Sequence, residues 1–169
     1  MPPRIDRPLY RGFLPALVLP GCTAIVVGVA AAAIEDTVRL ASTKKTITGE
    51  TLAETPRAQS VIAASQAALD AAWLLLLSAA RTLQDAGVAV TAGQRAALRA
   101  AMSHAARVSR DVLVDMYELA SSSSLYKGDA LERRFRDGMA AAQHFNHSAA
   151  AFEQAGRVLF GLPPTMPLF

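Results

Sequence analysis

Two histidines, His144 and His147, stand three residues apart in Gln143-His144-Phe145-Asn146-His147, where an alanine-rich chain turns polar and aromatic. On a continuous helix that spacing puts both imidazoles on one face. A metal would need further ligands. Neither a His-Glu-x-x-His motif nor a Glu-x-x-His pair on a second helix is present, so no metal site is expected. Imidazole also exchanges protons near neutral pH and hydrogen-bonds in either form. The two readings are therefore a proton-handling pair, or a structural pair with one ring satisfied in a helix break and the other exposed. Ahead of the histidines, Ser121 to Ser124 and then Tyr126 mark the end of a helical segment, because serine is a poor helix former and a good loop former. Lys44 and Lys45 read by themselves as a solvated pair. Glu132, Arg133, Arg134, Arg136 and Asp137 suit a salt-bridged helix face, Glu132 lying four residues before Arg136.

Four long helical stretches must position these residues. The first runs from about Pro20 to Thr43, with Gly21 and Gly28 seven apart on one face, where another helix could approach closely. It ends in Ser42-Thr43-Lys44-Lys45-Thr46-Ile47-Thr48-Gly49, a loop composition. The second opens at Thr55-Pro56, an N-cap followed by proline at the first helical position, and ends at Gly87. The third opens at Thr91, three residues before Gln94, the spacing of a capping box. Leu98, Met102, Ala105, Val108, Val112 and Met116 give it an apolar stripe, and Arg95, Arg99, Arg107 and Asp111 mark the opposite face. The fourth starts at Asp129 and runs towards Phe160 with a break near Asn146, stopped by Pro163, Pro164 and Pro167. The expected fold class is all-α, an antiparallel four-helix bundle over residues 20–162. An extended lead (residues 1–19) precedes it, in which only Arg7 to Val18 has strand character, and a Pro-rich tail (residues 163–169) follows.

Composition narrows the function classes. Hydrophobic residues make up 52% of the 169 and charged residues 18%, enough apolar material for one domain with a core. The net charge is only +3, and basic residues alternate with acidic ones, which excludes the clustered cations of a nucleic-acid surface. Cys22 is the only cysteine, so no disulfide forms within the chain and a cytoplasmic location is expected. Gly12 to Ile34 carries no charge, but Pro15, Pro20 and Gly21 interrupt it, so it reads as a buried helix and no membrane partner is expected. Trp73-Leu74-Leu75-Leu76-Leu77 is apolar around most of its helix, so its outer face needs a second partner: a homo-oligomer is expected, and a wholly buried helix within a larger protein reads the same way.

The order of these motifs resembles the C-terminal helical domain of acyl-CoA dehydrogenase-fold flavoenzymes, in particular the flavin-dependent monooxygenase branch of the 4-hydroxyphenylacetate hydroxylase and dibenzothiophene monooxygenase type. The resemblance is carried by Ser122-Ser123-Ser124-Leu125-Tyr126, then Glu132-Arg133-Arg134-Phe135-Arg136-Asp137, then Gln143-His144, then Ala155-Gly156-Arg157-Val158-Leu159-Phe160-Gly161-Leu162. It covers nearly the whole chain, from Leu9-Tyr10 to Leu162.

The resemblance implies a place for each residue. A histidine at this point, His144 or His147, would face a flavin ring. Ser122, Ser123 and Ser124 would approach the flavin's phosphate part, often in a neighbouring subunit, with Tyr126 beside them, and Lys44 would match an arginine that reaches a flavin phosphate. The dehydrogenases' catalytic glutamate has no counterpart near the end of the chain, while Phe152-Glu153-Gln154-Ala155-Gly156-Arg157 fits the monooxygenases. The expected function is thus the C-terminal domain of a two-component flavin-dependent monooxygenase acting on a small organic substrate. Such a domain is incomplete without N-terminal and β domains and is supplied with FMN or FAD that this chain alone would not retain. A separate N-terminal subunit and a flavin reductase are possible partners. The alternatives are a non-catalytic oligomerisation or partner module and an acyl-CoA dehydrogenase fragment.

Overall fold

The computed structural model describes Tyr10 and residues 14–87, 89–126 and 128–166. Five α-helices and three short 3-10 turns account for nearly all of them, and no strand occurs among the described residues. Helix α1 (Leu14–Thr43) buries Thr23, Val26, Val27, Ala30, Ala33, Ile34, Thr37 and Ala41, a run at spacings that keep one face inward. It begins earlier than expected: residues 14–19, read from sequence as extended, are helical, and Pro20 lies inside the helix. A proline there removes one backbone hydrogen bond but leaves the following turns intact. The remaining residues read as a lead (1–9 and 11–13) lie outside the described ones.

Local signals set the next two helices. Thr55 caps α2 (Pro56–Ala86), its hydroxyl accepting from the Ala58 amide at 3.3 Å. Thr91 and Gln94 form the capping box of α3 (Ala92–Ala120): the Gln94 amide donates to Thr91 Oγ1 at 3.2 Å and the Thr91 amide to Gln94 Oε1 at 2.9 Å. Each cap satisfies amides that the helix itself leaves without partners. Helix α2 buries only a narrow stripe through Ser65, Leu69, Ala72, Leu76, Ala79 and Leu83. Its outer face leaves Trp73, Leu74 and Leu75 at 36%, 65% and 49% exposure, the unpartnered apolar surface read from sequence.

Helix α3 is the central element and packs against each of the other four. Its apolar stripe is buried as expected, with Val108 half-buried at its edge. A second buried face, Ala96, Arg99, Ser103 and Ala106, adjoins it. That corrects the reading of Arg99 as part of a wet opposite face: the side chain is 2% exposed. After a 3-10 turn (Ser121–Leu125), Asp129 caps α4 (Ala130–Ala141) by accepting from the Leu131 amide at 2.7 Å. The fourth helical stretch breaks as expected, through a 3-10 turn at Phe145–His147, before α5 (Ala149–Leu159). The Pro-rich tail folds back on α5: Gln154 Oε1 accepts from the Thr165 amide at 2.6 Å and the Met166 amide at 3.2 Å.

Close approach comes at a different glycine from the pair expected. Gly21 and Gly28 are exposed, and a Cβ on either would meet nothing within 4 Å. Gly138 on α4 is the tight point, where a Cβ would lie 2.4 Å from Leu113 Cδ1 and 3.1 Å from Val29 Cγ1. Beside that contact the Asp36 carboxylate pairs with Arg39 on its own helix and with Arg134 of α4 at 3.2 Å. The Glu132–Arg136 pair read from sequence is present at 4.0 Å on the outer face.

Candidate functional site

The histidine turn is built where α4 cannot continue. His144 takes extended backbone as the N-cap of the 3-10 turn, and its Nδ1 accepts from the Asn146 amide at 3.3 Å. A ring accepting at Nδ1 carries its proton at Nε2 when neutral, so the exposed imidazole of His144 keeps Nε2–H as its donor. His147 is turned the other way. Its Nε2 lies 3.0 Å from Thr23 Oγ1 and 3.7 Å from Cys22 Sγ, and its ring centroid is 5.7 Å from that of His144. Burial pushes the His147 pKa below its ordinary value of 6.5, and the neighbouring His144 adds to this, while the carbonyls of Ala142 and Ala141 oppose it. Its Nδ1 is buried without a hydrogen bond of good geometry.

Beneath the turn lies a polar cluster that sequence reading missed. Arg99 Nη1 donates to Asn146 Oδ1 at 2.7 Å, Ser103 Oγ donates to the Asn146 carbonyl at 3.4 Å, and Asn146 Nδ2 donates to Cys22 Sγ at 3.7 Å. Burial lowers the pKa of the Arg99 guanidinium, with the Cys22 thiol opposing it. A usable signal was in the sequence: Ala96, Arg99, Ser103 and Ala106 recur at helical spacing, and small residues on either side of an arginine mark a face another element can cover. A groove of about 290 Å³ adjoins the turn, lined by His147 but also by Arg107 and Arg110, with the Arg107 guanidinium 5.7 Å from the centre of the Phe152 ring.

The residues read as phosphate ligands gather elsewhere. Lys44 Nζ donates to the Ala120 carbonyl at 2.6 Å and to Ser123 Oγ at 3.1 Å, tying the end of α1 to the end of α3. Ser124 turns inward: it is fully buried, and its hydroxyl donates to the carbonyls of Ser121 and Tyr117 at 2.7 and 3.1 Å. Its side chain closes the helix end and does not reach the surface, whereas Ser122 and Tyr126 are exposed. Ser121 holds a positive φ of 53°, a conformation glycine adopts with less strain. Lys44, Lys45, Arg57, Ser121 and Ser122 line an open groove of about 700 Å³. Three cations and a serine turn, with the Glu118 carboxylate also on the groove, leave a net excess of donors that suits phosphate oxygens.

These two regions sit at opposite ends of the bundle. Thr23 meets the histidine turn and Lys44 the serine turn, and at ~1.5 Å per helical residue they are about 30 Å apart. One copy of the chain does not bring them to a single ligand end.

The depressed pKa of His147 has a consequence for stability. The unfolded chain takes up a proton before the folded one does, so the His147 contribution is present above pH 6.5 and lost as pH falls below it towards the folded value. Thermal unfolding is expected to shift downwards between pH 7.5 and 5, with a shallower slope in His147→Gln. Parallel slopes for the two proteins would show that another group controls the transition.

The comparisons with known proteins agree with this architecture. The family described as "Acyl-CoA dehydrogenase, C-terminal domain" matches residues 21–149. An indole-3-acetate monooxygenase from Acinetobacter baumannii is 32% identical over 167 residues, covering 96% of this chain and 43% of the relative. One from Pseudomonas putida is 27% identical, with 96% and 43% covered. Among solved structures, XiaF from Streptomyces sp., in complex with FADH2 and glycerol, superposes with a TM-score of 0.89 at 24% identity, covering 96% of this chain and 42% of that one. The HsaA monooxygenase from M. tuberculosis superposes with a TM-score of 0.82 at 24% identity, covering 94% and 42%. The chain spans less than half the length of these relatives. By the family match across most of its length, the chain belongs to the C-terminal domain family of the acyl-CoA dehydrogenases.

Proposed function

We propose that the chain forms the C-terminal part of a flavin-dependent monooxygenase acting on a small aromatic substrate, and that His144 is the group it presents to the flavin ring. The observation that carries this reading is the Asn146 amide donating to His144 Nδ1, which makes Nε2 the protonated nitrogen of an exposed ring at a helix break. Reduced FMN or FAD, when bound, supplies the electrons for oxygen activation. His144 then offers one oriented hydrogen-bond donor, able to hold or return a proton at Nε2. His147, turned into Thr23 and Cys22, keeps the turn in place. The aromatic character of the substrate follows the relatives named for indole-3-acetate.

The groove at Lys45, Arg57, Ser121 and Ser122 fits the phosphate part of a flavin. Its distance from the histidine turn favours a flavin seated with its ring on one copy and its phosphate on another. The Lys44 bonds to Ala120 and Ser123 make its role one of shaping that groove.

Assembly into a homo-oligomer accounts for the outer face of α2 and for the groove of about 310 Å³ beside it, lined by Gly28, Leu69 and Trp73. By length and composition α1 and α2 could each cross a membrane. The carboxylate of Asp70 and the amide of Gln66 lie on that same groove, which suits a protein partner better than lipid. We propose a soluble, cytoplasmic assembly. On gel filtration with light scattering at micromolar concentration, the chain is expected as a colourless dimer or larger species, since one wall of a flavin site holds the ring poorly. A monomer would remove the oligomer reading, and a yellow peak would mean a self-sufficient flavin site.

The function itself is tested by joining the chain to N-terminal and β domains of the kind its relatives carry and supplying reduced flavin, indole-3-acetate and ¹⁸O₂. Label in the organic product is expected. Desaturation of an acyl thioester without label would instead assign dehydrogenase chemistry.

A further inference from the structure

We infer that Arg99 and Asn146 form a positioning pair that sets the orientation of both histidines, an inference that rests on the reading of His144 given above. Asn146 is the pivot. Its four polar groups all have partners: the amide N–H donates to His144 Nδ1, the carbonyl accepts from Ser103, Oδ1 accepts from Arg99, and Nδ2 donates to Cys22. An asparagine at 2% exposure with every donor and acceptor engaged has one orientation. The residues on either side of it in the turn inherit that orientation.

The two histidines depend on it in different ways. His144 is held directly, because the amide it accepts from belongs to the fixed residue. His147 follows Asn146 in the chain and points to Thr23 and Cys22, the latter being also the acceptor for Asn146 Nδ2. The bond from Arg99 to Asn146 Oδ1 is the shortest of the four, and a charged donor makes it the strongest. Arg99 itself sits on α3, the helix that packs against every other one, so the turn is referenced to the most constrained part of the fold. The Ser103 bond, one turn along α3, fixes the second point needed to stop rotation.

A purely space-filling Arg99 would leave the histidines indifferent to its chemistry, and that separates the two roles. In Arg99→Met, which keeps most of the volume, the chain is expected to retain its helical circular dichroism. Hydrogen exchange of the Asn146 amide should then rise about tenfold or more, while amides in the middle of α3 stay protected. The NMR titration midpoint of His147 should move up towards 6.5 as its burial loosens. A folded Arg99→Met protein with both readouts unchanged would overturn the inference. If that protein does not fold, Asn146→Ala, which leaves α3 untouched, carries the same test, and an unmoved His147 midpoint overturns it equally. The flavin-facing reading fails separately: unchanged coupling in His144→Ala with these readouts moved would leave the positioning pair standing. Lost coupling with them unmoved would do the reverse.

Discussion

Replacing Gly138 with valine is expected to destabilise the domain by about 3 kcal/mol, the upper range for forcing side chains into a packed core. Thermal unfolding should fall by about 6–12 °C for a protein of this size. The reason is geometric. Leu113, 1% exposed on α3, and Val29 on α1 already fill the space above Gly138 where α4 crosses them. A first carbon at Cβ meets Leu113 Cδ1 at 2.4 Å, and the two methyl groups of valine have nowhere to go. Alanine is the informative control. In a helix interior it gains about 1 kcal/mol over glycine, so Gly138→Ala sets that gain against a clash with the flexible end of one leucine, and a much smaller loss is expected. Equal stability for valine and the parent, measured by thermal or urea unfolding, would show that α4 can lift away from α1 and α3 without cost.

In the proposed oxygenase, His144→Ala is expected to leave folding and assembly intact while the yield of oxygenated product per oxygen consumed falls by about ten- to a hundredfold. That range is what one hydrogen bond of about 1.5–3 kcal/mol to a charged group is worth. The ring is exposed, and its one described hydrogen bond within the chain is the cap to the Asn146 amide, so its removal should cost little stability. Oxygen uptake should continue, with hydrogen peroxide appearing in place of product. His144→Asn offers a cap acceptor without an imidazole, so it separates the two duties: it should restore the turn and not the coupling. Full coupling in the alanine protein would move the role to another group, and His147, already bound to Thr23, would then have to turn outward to take it.

Much of the fold was legible because the signals that start and stop helices act over three or four residues. Thr55 with Pro56, Thr91 with Gln94, and Asp129 each cap a helix through contacts no further than the next turn, and composition alone marks them. The order of motifs from the serine turn to Ala155-Gly156-Arg157 was likewise sufficient to reach the family. What the sequence could not reveal depends on which neighbour lies over a given face. Arg99 sits at the border of a buried stripe, and only the histidine turn folding over it converts a surface cation into a buried anchor. Asp36 pairs with Arg39 within α1, and only the packing of α4 brings Arg134 beside it as well.

The glycines show the same division. Gly21 and Gly28 had the helical spacing for close packing, but among the described residues nothing lies within 4 Å of a Cβ there, whereas Gly138 stands where α4 meets α3 and α1. The candidate site divides most sharply of all. Sequence supplied the candidate residues, Lys44, the serines and the histidines, as neighbours in a list of motifs. Parallel packing of α1 and α3 draws Lys44 to Ser123 and Thr23 to His147, and so fixes the two groups at opposite ends of the bundle. Spacing along a chain reports which side chains share a helix face; only the packing of whole helices decides which faces, and which ends, meet.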